Sequence, residues 1–340
     1  MNRRQKAFAR GLSTIRSQKA KTSARAVRRI CAIRPSLYNT DGMLVPNQII
    51  RGDCIEILNQ AEANWVDLCF ADPPFNIGYL YHGYDDQKDV DEYVAWSEKW
   101  MRAVHRALKP SGSFYLAIGD EFAADLCYVA RRKIGFHLRN WIIWHYTFGQ
   151  QTKKMFAKSH THILYFTKEK EGFTFNPDSV RVASARQTTY GDKRANSKGK
   201  LPDDTWFLRP QEASPHGYFE EGCDTWNESR VCGTFKERQG WHGCQMPKGV
   251  LDRIVKASSN KGDIVLDPFN GSGTTVVSAA LLDRKYVGID QSEEYVAHAR
   301  KRLAHALSDK NGVPDSRILT ATDAFGRPRV ARRGRAVKSA

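Results

Sequence analysis

Asp263-Ile264-Val265-Leu266-Asp267-Pro268-Phe269-Asn270-Gly271-Ser272-Gly273-Thr274-Thr275 reads as a short strand, a glycine loop and the first residues of a helix. Ile264 to Leu266 is the strand, and Val276 to Leu282 is an apolar, alanine-rich helix start. Gly271 and Gly273 let the backbone come close to a ligand at the helix N-terminus, where unpaired N–H groups point outward. A second strand, Lys285-Tyr286-Val287-Gly288-Ile289, ends in Asp290. An acid at the tip of the second strand, about 20 residues past the glycine loop, is the usual ribose-hydroxyl ligand of nucleotide-binding α/β folds. A lone glycine loop is a weak signal; this one has strand before, helix after and acid in place.

Working outward, the run Val66-Asp67-Leu68-Cys69-Phe70-Ala71 alternates like a buried strand and stops at Asp72-Pro73-Pro74-Phe75. Pro73 and Pro74 have fixed φ and no N–H, and Pro74 biases Pro73 away from the helical region. The turn is stiff, and its carbonyls are not consumed by a helix. A carboxylate and a bare carbonyl side by side accept two hydrogen bonds from one amino group, and an adjacent aromatic ring stacks on a flat heterocycle. Taken alone, the tetrapeptide reads equally well as a tight turn at a strand end.

Together, in this order, the two stretches resemble the DNA amino-methyltransferases of the permuted beta class, in which the catalytic motif precedes the cofactor motif. The resemblance runs from Met43 to about Leu307. It implies that Asp72, Pro73, Pro74 and Phe75 are catalytic. It implies that Asp267, Phe269, Gly271, Ser272, Gly273, Thr274 and Asp290 hold S-adenosylmethionine. Asp53, in the pair Gly52-Asp53 after the short strand that starts near Asn47, matches a family acid that approaches the cofactor adenine; it is also a plausible N-cap for the helix Ile55 to Ala61. Trp241-His242-Gly243-Cys244-Gln245-Met246-Pro247-Lys248 resembles the family's His-Pro-Thr-Gln-Lys-Pro motif, which packs on the methionine end of the cofactor, and brings in Pro247. Gly243, Cys244 and Met246 depart from that pattern.

The remaining elements follow from periodicity. Asp91 to Leu108 is a helix with Tyr93, Trp96, Trp100, Val104 and Leu108 on its core face, ended by Lys109-Pro110-Ser111-Gly112. Ser113 to Gly119 is a strand with Asp120 just beyond it. Glu121 to Lys133 is a helix, and Leu138 to Tyr146 and Thr161 to Phe166 are strands. Phe156 to Lys168 resembles the family segment that helps hold the flipped base, although His160 and His162 within it read as ordinary strand residues. Asn76 to Asp86 reads as a loop able to close over substrate, and Gly249 to Ala257 and Glu293 to Leu307 as amphipathic helices. The fold class is therefore α/β: a mostly parallel, doubly wound sheet with an insert. From about Glu169 to Gly240 the periodicity fades. There Arg181, Arg186, Lys193, Arg194, Lys198 and Lys200 stand against Asp192, with Tyr190, Trp206, Phe207, Tyr218 and Trp226 interleaved. The resemblance makes this the target-recognition region, and a basic loop of this kind can read base edges in a groove; an unstructured insertion is the alternative.

The chain has 340 residues and a formal net charge of +16. Eleven basic residues and no acid fall in the first 36 positions, and six more lie between Arg327 and Ala340. Setting those aside leaves 36 Lys and Arg against 37 Asp and Glu, so the body is near neutral and the excess sits in two arms. Such arms bind phosphate backbones without reading sequence, or are simply solvated. The layout is thus a basic arm (1–42), a catalytic half (43–168), a target-recognition region (169–240), a cofactor half (241–308) and a basic tail (309–340). The first arm lacks the apolar segment of a secretory signal. Its arginine-rich, acid-free composition keeps mitochondrial import as a minor alternative to a cytoplasmic, nucleoid-associated protein. No apolar run approaches 18 residues, so no membrane span is expected. The seven cysteines include no Cys-x-x-Cys pair. Cys54, Cys69 and Cys127 read as reduced core residues, and the irregular set Cys223, Cys232, Cys244, His216 and His242 gives no metal site.

The resemblance implies methyl transfer to the exocyclic amino group of a flipped base in double-stranded DNA. Asp at the first motif position favours adenine N6 over cytosine N4. An RNA methyltransferase or a non-catalytic nucleic-acid-binding protein are the alternatives. A homodimer and a cognate restriction endonuclease are the further partners it suggests.

Overall fold

The computed structural model describes residues 44–78, 86–150, 153–182, 184, 186, 190–206 and 245–310. The expectations for the two arms, for residues 79–85 and for residues 207–244, with the cysteine and histidine set within them, lie outside the described residues.

Among the described residues, eight strands form one sheet: β1 (Gln48–Arg51), β2 (Val66–Ala71), β3 (Leu108–Ile118), β4 (His137–Gln150), β5 (Lys158–Thr167), β6 (Thr205–Trp206), β7 (Ile264–Asp267) and β8 (Lys285–Asp290). Their spatial order is β1-β8-β7-β2-β3-β5-β4-β6. The pairs from β1 to β3 are all parallel. β5 runs antiparallel between β3 and β4, and the short β6 joins β4 in parallel. The sheet is thus mostly parallel, as its alternating strand and helix signals require.

The helices are α1 (Cys54–Gln60), α2 (Val90–Ala107), α3 (Asp120–Tyr128), α4 (Lys248–Ser258), α5 (Thr274–Leu281) and α6 (Glu293–Lys310). They cover both faces. On one face, Ile57 of α1, Trp100 and Val104 of α2 and Leu126 of α3 pack on Cys69, Ala71, Phe114 and Leu116. On the other, Val250, Leu251 and Ile254 of α4 pack on Leu68, Phe70, Tyr115 and Ala117. Neighbouring residues of β2 therefore enter opposite cores, and every position of the strand is buried. Asp67 is the polar exception. Its carboxylate accepts from Lys109 Nζ at 2.7 Å and from the Ile264 backbone N–H at 2.9 Å, which ties the start of β2 to β3 and β7. No helix among the described residues is long and apolar enough to cross a membrane.

Three boundaries differ from the sequence expectation. α2 ends at Ala107, and Leu108 enters β3 directly; the register shift between Val66 and Leu68 absorbs the Pro110 segment. The helix expected to Lys133 is α-helical only to Tyr128, then makes a π-helical turn, Val129–Ile134, closed by Gly135 at φ 106°. β4 and β5 are longer than their apolar centres, because their polar ends also pair.

The connections set the position of the site. α2 carries the chain from β2 to β3, whereas α5 carries it from β7 to β8, on the opposite side. β2 and β7 are neighbours, so their carboxyl ends flank a crevice where the winding reverses, the usual ligand position in open α/β sheets.

Candidate active site

A cavity of about 360 Å³ opens at that crevice. Its wall includes Asp72, Pro73, Pro74 and Phe75 from the end of β2 and Asp267, Phe269, Gly271, Ser272 and Thr274 from the loop after β7. Asp53 and Asp290 also line it. Residues nearly 200 positions apart are brought together because β2 and β7 pair.

The turn after β2 is held from behind. The Tyr93 hydroxyl donates to the Pro74 carbonyl at 2.7 Å, and no hydrogen bond falls on the Pro73 carbonyl among the described residues. Asn76 has φ 58°, and its side chain bridges the backbone of Lys88 in both directions. The buried carboxylate of Asp86 accepts from the N–H groups of Asn76 at 2.8 Å and Ile77 at 3.1 Å, so it clamps the base of the loop that follows the turn. Phe75 lies against Gly119, where a Cβ would stand 3.3 Å from its ring. The aromatic residues of α2 are core, as expected, but Trp96 also lines the cavity and meets Phe269 edge-on, with ring centroids 5.7 Å apart.

The loop after β7 is held by carboxylates. Asp290 accepts from the N–H of Gly271 and of Ser292, each at 2.8 Å. Asp267 accepts from the Phe269 N–H at 3.0 Å. Burial pushes the Asp267 carboxyl up to about 7 against the pull of Thr275 and the Phe269 N–H, with Asp290 adding to the rise. Burial also raises Asp290 above the usual carboxylate range, against its two backbone donors. Gly273 has φ 78° and marks the start of α5; a Cβ there would stand 2.9 Å from that of Ala299, so α6 packs directly on the loop.

Asp53 caps α1, accepting from Ile55 N–H at 2.8 Å and Glu56 N–H at 3.1 Å, while its other oxygen accepts from Gln291 at 3.0 Å. The cap and the place on the cavity wall hold together. Two expected residues are not on the wall. Pro247 is buried at the start of α4, and its neighbours Gln245 and Met246 line the cavity instead; Gly273 shapes the turn from behind. Cys54 lines the cavity, but burial and the Asp53 charge push its thiol far above the usual range, as a core thiol rather than a nucleophile.

The antiparallel half supplies a further wall: Lys158 and His160, within the segment Phe156 to Lys168 that the resemblance brought to the base, and Asp120, Trp144 and Tyr146, which the sequence did not point to. His160 is therefore more than an ordinary strand residue. Burial raises the Asp120 carboxyl, but Lys158 Nζ at 3.0 Å, the helix backbone and His160 outweigh it, and the group lies below the ordinary carboxylate range. His160 Nε2 and His162 Nε2 are 3.3 Å apart, and Trp141 Nε1 donates to His162 Nδ1 at 2.8 Å. Asp120, His160 and His162 each bring a donor atom within 4.8 Å of the others. Lys158 already neutralises Asp120 and the imidazoles satisfy each other, so the set reads as a polar network. One signal was available: Asp120 follows its strand just as Asp72 and Asp290 follow theirs.

The expected nucleic-acid-binding cations lie apart from the cavity wall. Arg186 and Arg194 pair with Asp192, Arg181 and Lys198 with Asp178, and Lys200 with Asp203. Lys193 has no ion pair among the described residues. The described part of this region is structured: Val182 and Lys200 form a bridge, and the Asn176 side chain donates to the carbonyls of Lys256 and Ser259 at the end of α4.

Residues 66–301 match the family model described as DNA methylase, of the N6/N4 type. The chain is 33% identical over 256 residues to the type II methyltransferase M.HpaI of Haemophilus parainfluenzae, covering 75% of this chain and 74% of that one. It is 33% identical over 256 residues to the DNA adenine methyltransferase YhdJ of Escherichia coli K12, covering 75% and 82%. Among solved structures, the PvuII DNA methyltransferase, named as cytosine-N4-specific, matches with a TM-score of 0.56 at 16% identity over 82% of this chain and 94% of that one. M1.HpyAVI matches with a TM-score of 0.50 at 20% identity, covering 75% and 98%. Both structures share the fold.

Proposed function

The chain belongs to the N6-adenine/N4-cytosine DNA methylase family, and on that premise we propose that it transfers the methyl of S-adenosylmethionine to adenine N6 in double-stranded DNA. The observation that carries this reading is the pairing of β2 with β7, which sets Asp72-Pro73-Pro74-Phe75 and the glycine loop on one cavity.

The loop fits an adenosyl cofactor on its own geometry. Gly271 has φ 43°, and its N–H is already turned to a carboxylate at the cavity wall. Asp290 and Asp53 offer acceptors for ribose and adenine, and Phe269 offers an aromatic edge. S-adenosylmethionine supplies an electrophilic methyl on sulfur when bound.

A base amino group inside a duplex is out of reach, so the target nucleotide is extruded into the cavity. Phe75 stacks on it. Asp72 and the Pro73 carbonyl accept the two amino hydrogens, which draws the nitrogen lone pair out of conjugation with the ring, and Asp72 is placed to take the proton that the nitrogen would give up as the methyl leaves the sulfur. Tyr93, by occupying the Pro74 carbonyl, leaves Pro73 as the acceptor of the turn. Asp rather than Ser at position 72 supports adenine, as does the adenine-specific name of one relative. The cations around Asp178 and Asp192 are proposed to exchange their exposed carboxylate partners for DNA phosphates.

The test is transfer of labelled methyl from S-adenosylmethionine to unmethylated duplex DNA, with nucleosides identified by mass spectrometry and Asp72→Ala run alongside. Label on N6 of adenine, reduced by at least about 10²-fold in the variant, is expected. Label on cytosine N4 would transfer the same chemistry to the other base. No label above the variant would overturn the reading.

A further inference from the structure

The antiparallel wall carries a hydrogen-bond chain whose direction is fixed at one end. An indole N–H only donates, so Trp141 Nε1, 2.8 Å from His162 Nδ1, makes that nitrogen an acceptor. A neutral His162 then carries its proton on Nε2. That nitrogen faces His160 Nε2 at 3.3 Å and donates to it. His160 Nε2 is in turn an acceptor, so the proton of a neutral His160 is on Nδ1. His160 lines the cavity, and its ring makes no other hydrogen bond among the described residues.

We propose that the Trp141–His162–His160 chain fixes the orientation of the His160 ring, with Nε2 as acceptor from His162 and its Nδ1–H donating to a ring nitrogen of the extruded base, so that the base's amino group meets Asp72 and Pro73. The proposal rests on the reading of the cavity as a base pocket and names the residue that orients the base there. Adenine and cytosine both carry a ring-nitrogen acceptor beside the amino-bearing carbon, so His160 positions the base without choosing between them. His160 is the contact, and His162 and Trp141 are positioning residues.

The arrangement makes the pocket sensitive to acid. Protonating His160 puts an N–H on both facing Nε2 atoms, and protonating His162 puts one on Nδ1 against the indole N–H of Trp141; either contact becomes repulsive. The groups facing the pair are Asp120 at the start of α3, Lys158 on β5 and His145, the partner of His160 on β4. Burial and His160 lower the His162 pKa, against Asp120, which favours the neutral form of His162.

His162→Gln preserves the relay, since its amide oxygen accepts from Trp141 and its amide N–H donates to His160. His162→Leu breaks it. The expected result is that His162→Gln keeps kcat/KM near the wild-type value at pH 8, while His162→Leu loses roughly tenfold, the scale of one or two neutral hydrogen bonds. Trp141→Phe is expected to fall between them. Cofactor affinity is expected to stay unchanged in all three. Nitrogen NMR of histidine-labelled wild-type protein is expected to report the Nε2–H tautomer for His162 and the Nδ1–H tautomer for His160. That measurement stands whether or not DNA is the substrate, so failure of the relay and failure of the functional reading are separable. An Nε2–H tautomer on His160, or His162→Leu matching His162→Gln at pH 8 in a folded protein, would overturn the proposal.

Discussion

On the β7–β8 side the cavity wall is backbone, held in place by buried carboxylates: Asp290 takes the N–H of Gly271, and Asp267 that of Phe269. On the β4–β5 side it is side chains that hold one another: Lys158 on Asp120, Trp141 on His162 and His162 on His160. The first kind of wall tolerates few residue types, because φ near 78° at Gly273 and a 2.9 Å approach to Ala299 leave no room for a side chain. The second is set by which polar groups meet across two strands, and many combinations can satisfy one another. A surface for a ligand common to a family suits the first kind; a surface for the variable partner suits the second.

That contrast can be broken most readily at Gly273. Gly273→Ala adds left-handed strain and a close contact with α6, together about 2–4 kcal/mol of stability. Urea unfolding and cofactor calorimetry should show lower stability and weaker binding, and a variant as stable as wild type would refute the rigid-wall account. Asp267 gives the next largest effect. Its carboxyl is released near 3.8 in an ordinary setting and at about 7 in the folded chain. Its contribution to stability is therefore fully present below the lower value and is lost as pH rises through the upper one. Asp267→Asn should raise the unfolding free energy of the cofactor-free protein, measured by urea titration, more at pH 8 than at pH 5, the difference being on the order of 1–3 kcal/mol. Equal shifts at both pH values would break the link. At the seam between the walls, Tyr93→Phe removes the donor to Pro74. It should cost about 1 kcal/mol, read as a several-fold loss of kcat with cofactor affinity unchanged. The smallest effect is expected at Arg186→Ala, outside both walls. Loss of an exposed ion pair should change stability by less than about 0.5 kcal/mol, while lowering the salt dependence of DNA binding, measured by titration at several salt concentrations.

The sequence was most legible where one residue type answers one backbone demand. The glycine loop, the acid after β8 and the double-proline turn each carry their geometry locally, and the positions of β2, β7 and β8 follow from them. The antiparallel wall was legible from periodicity as two strands, and only the resemblance gave Phe156 to Lys168 a place near the base. Nothing local shows that Trp141 reaches His162 diagonally, that Tyr93 bonds a carbonyl 19 residues away, or that Asp86 returns to clamp Asn76. These depend on register and on loop return, which a single strand's pattern does not contain. The segment before α4 was expected to reach the cofactor through Pro247, whereas the cavity is lined just before it, by Gln245 and Met246. The cations after Val180 were legible by charge, yet the acids Asp178 and Asp203 that share them fell outside the window in which only Asp192 was weighed.

The bond from the Ile264 N–H to Asp67 spans 197 positions of the chain. β2 leaves the ribosome early, with only β3 available as a sheet neighbour on one side. Its other edge waits for β7. At synthesis rates of about 5–20 residues per second, that wait is on the order of 10–40 s. During it, an apolar strand with an open edge stands ready for any passing partner. The order of the motifs thus has a temporal cost: the turn at Asp72 is synthesised well before the strand that completes its cavity, and the nascent chain must be kept from mispairing until that strand arrives.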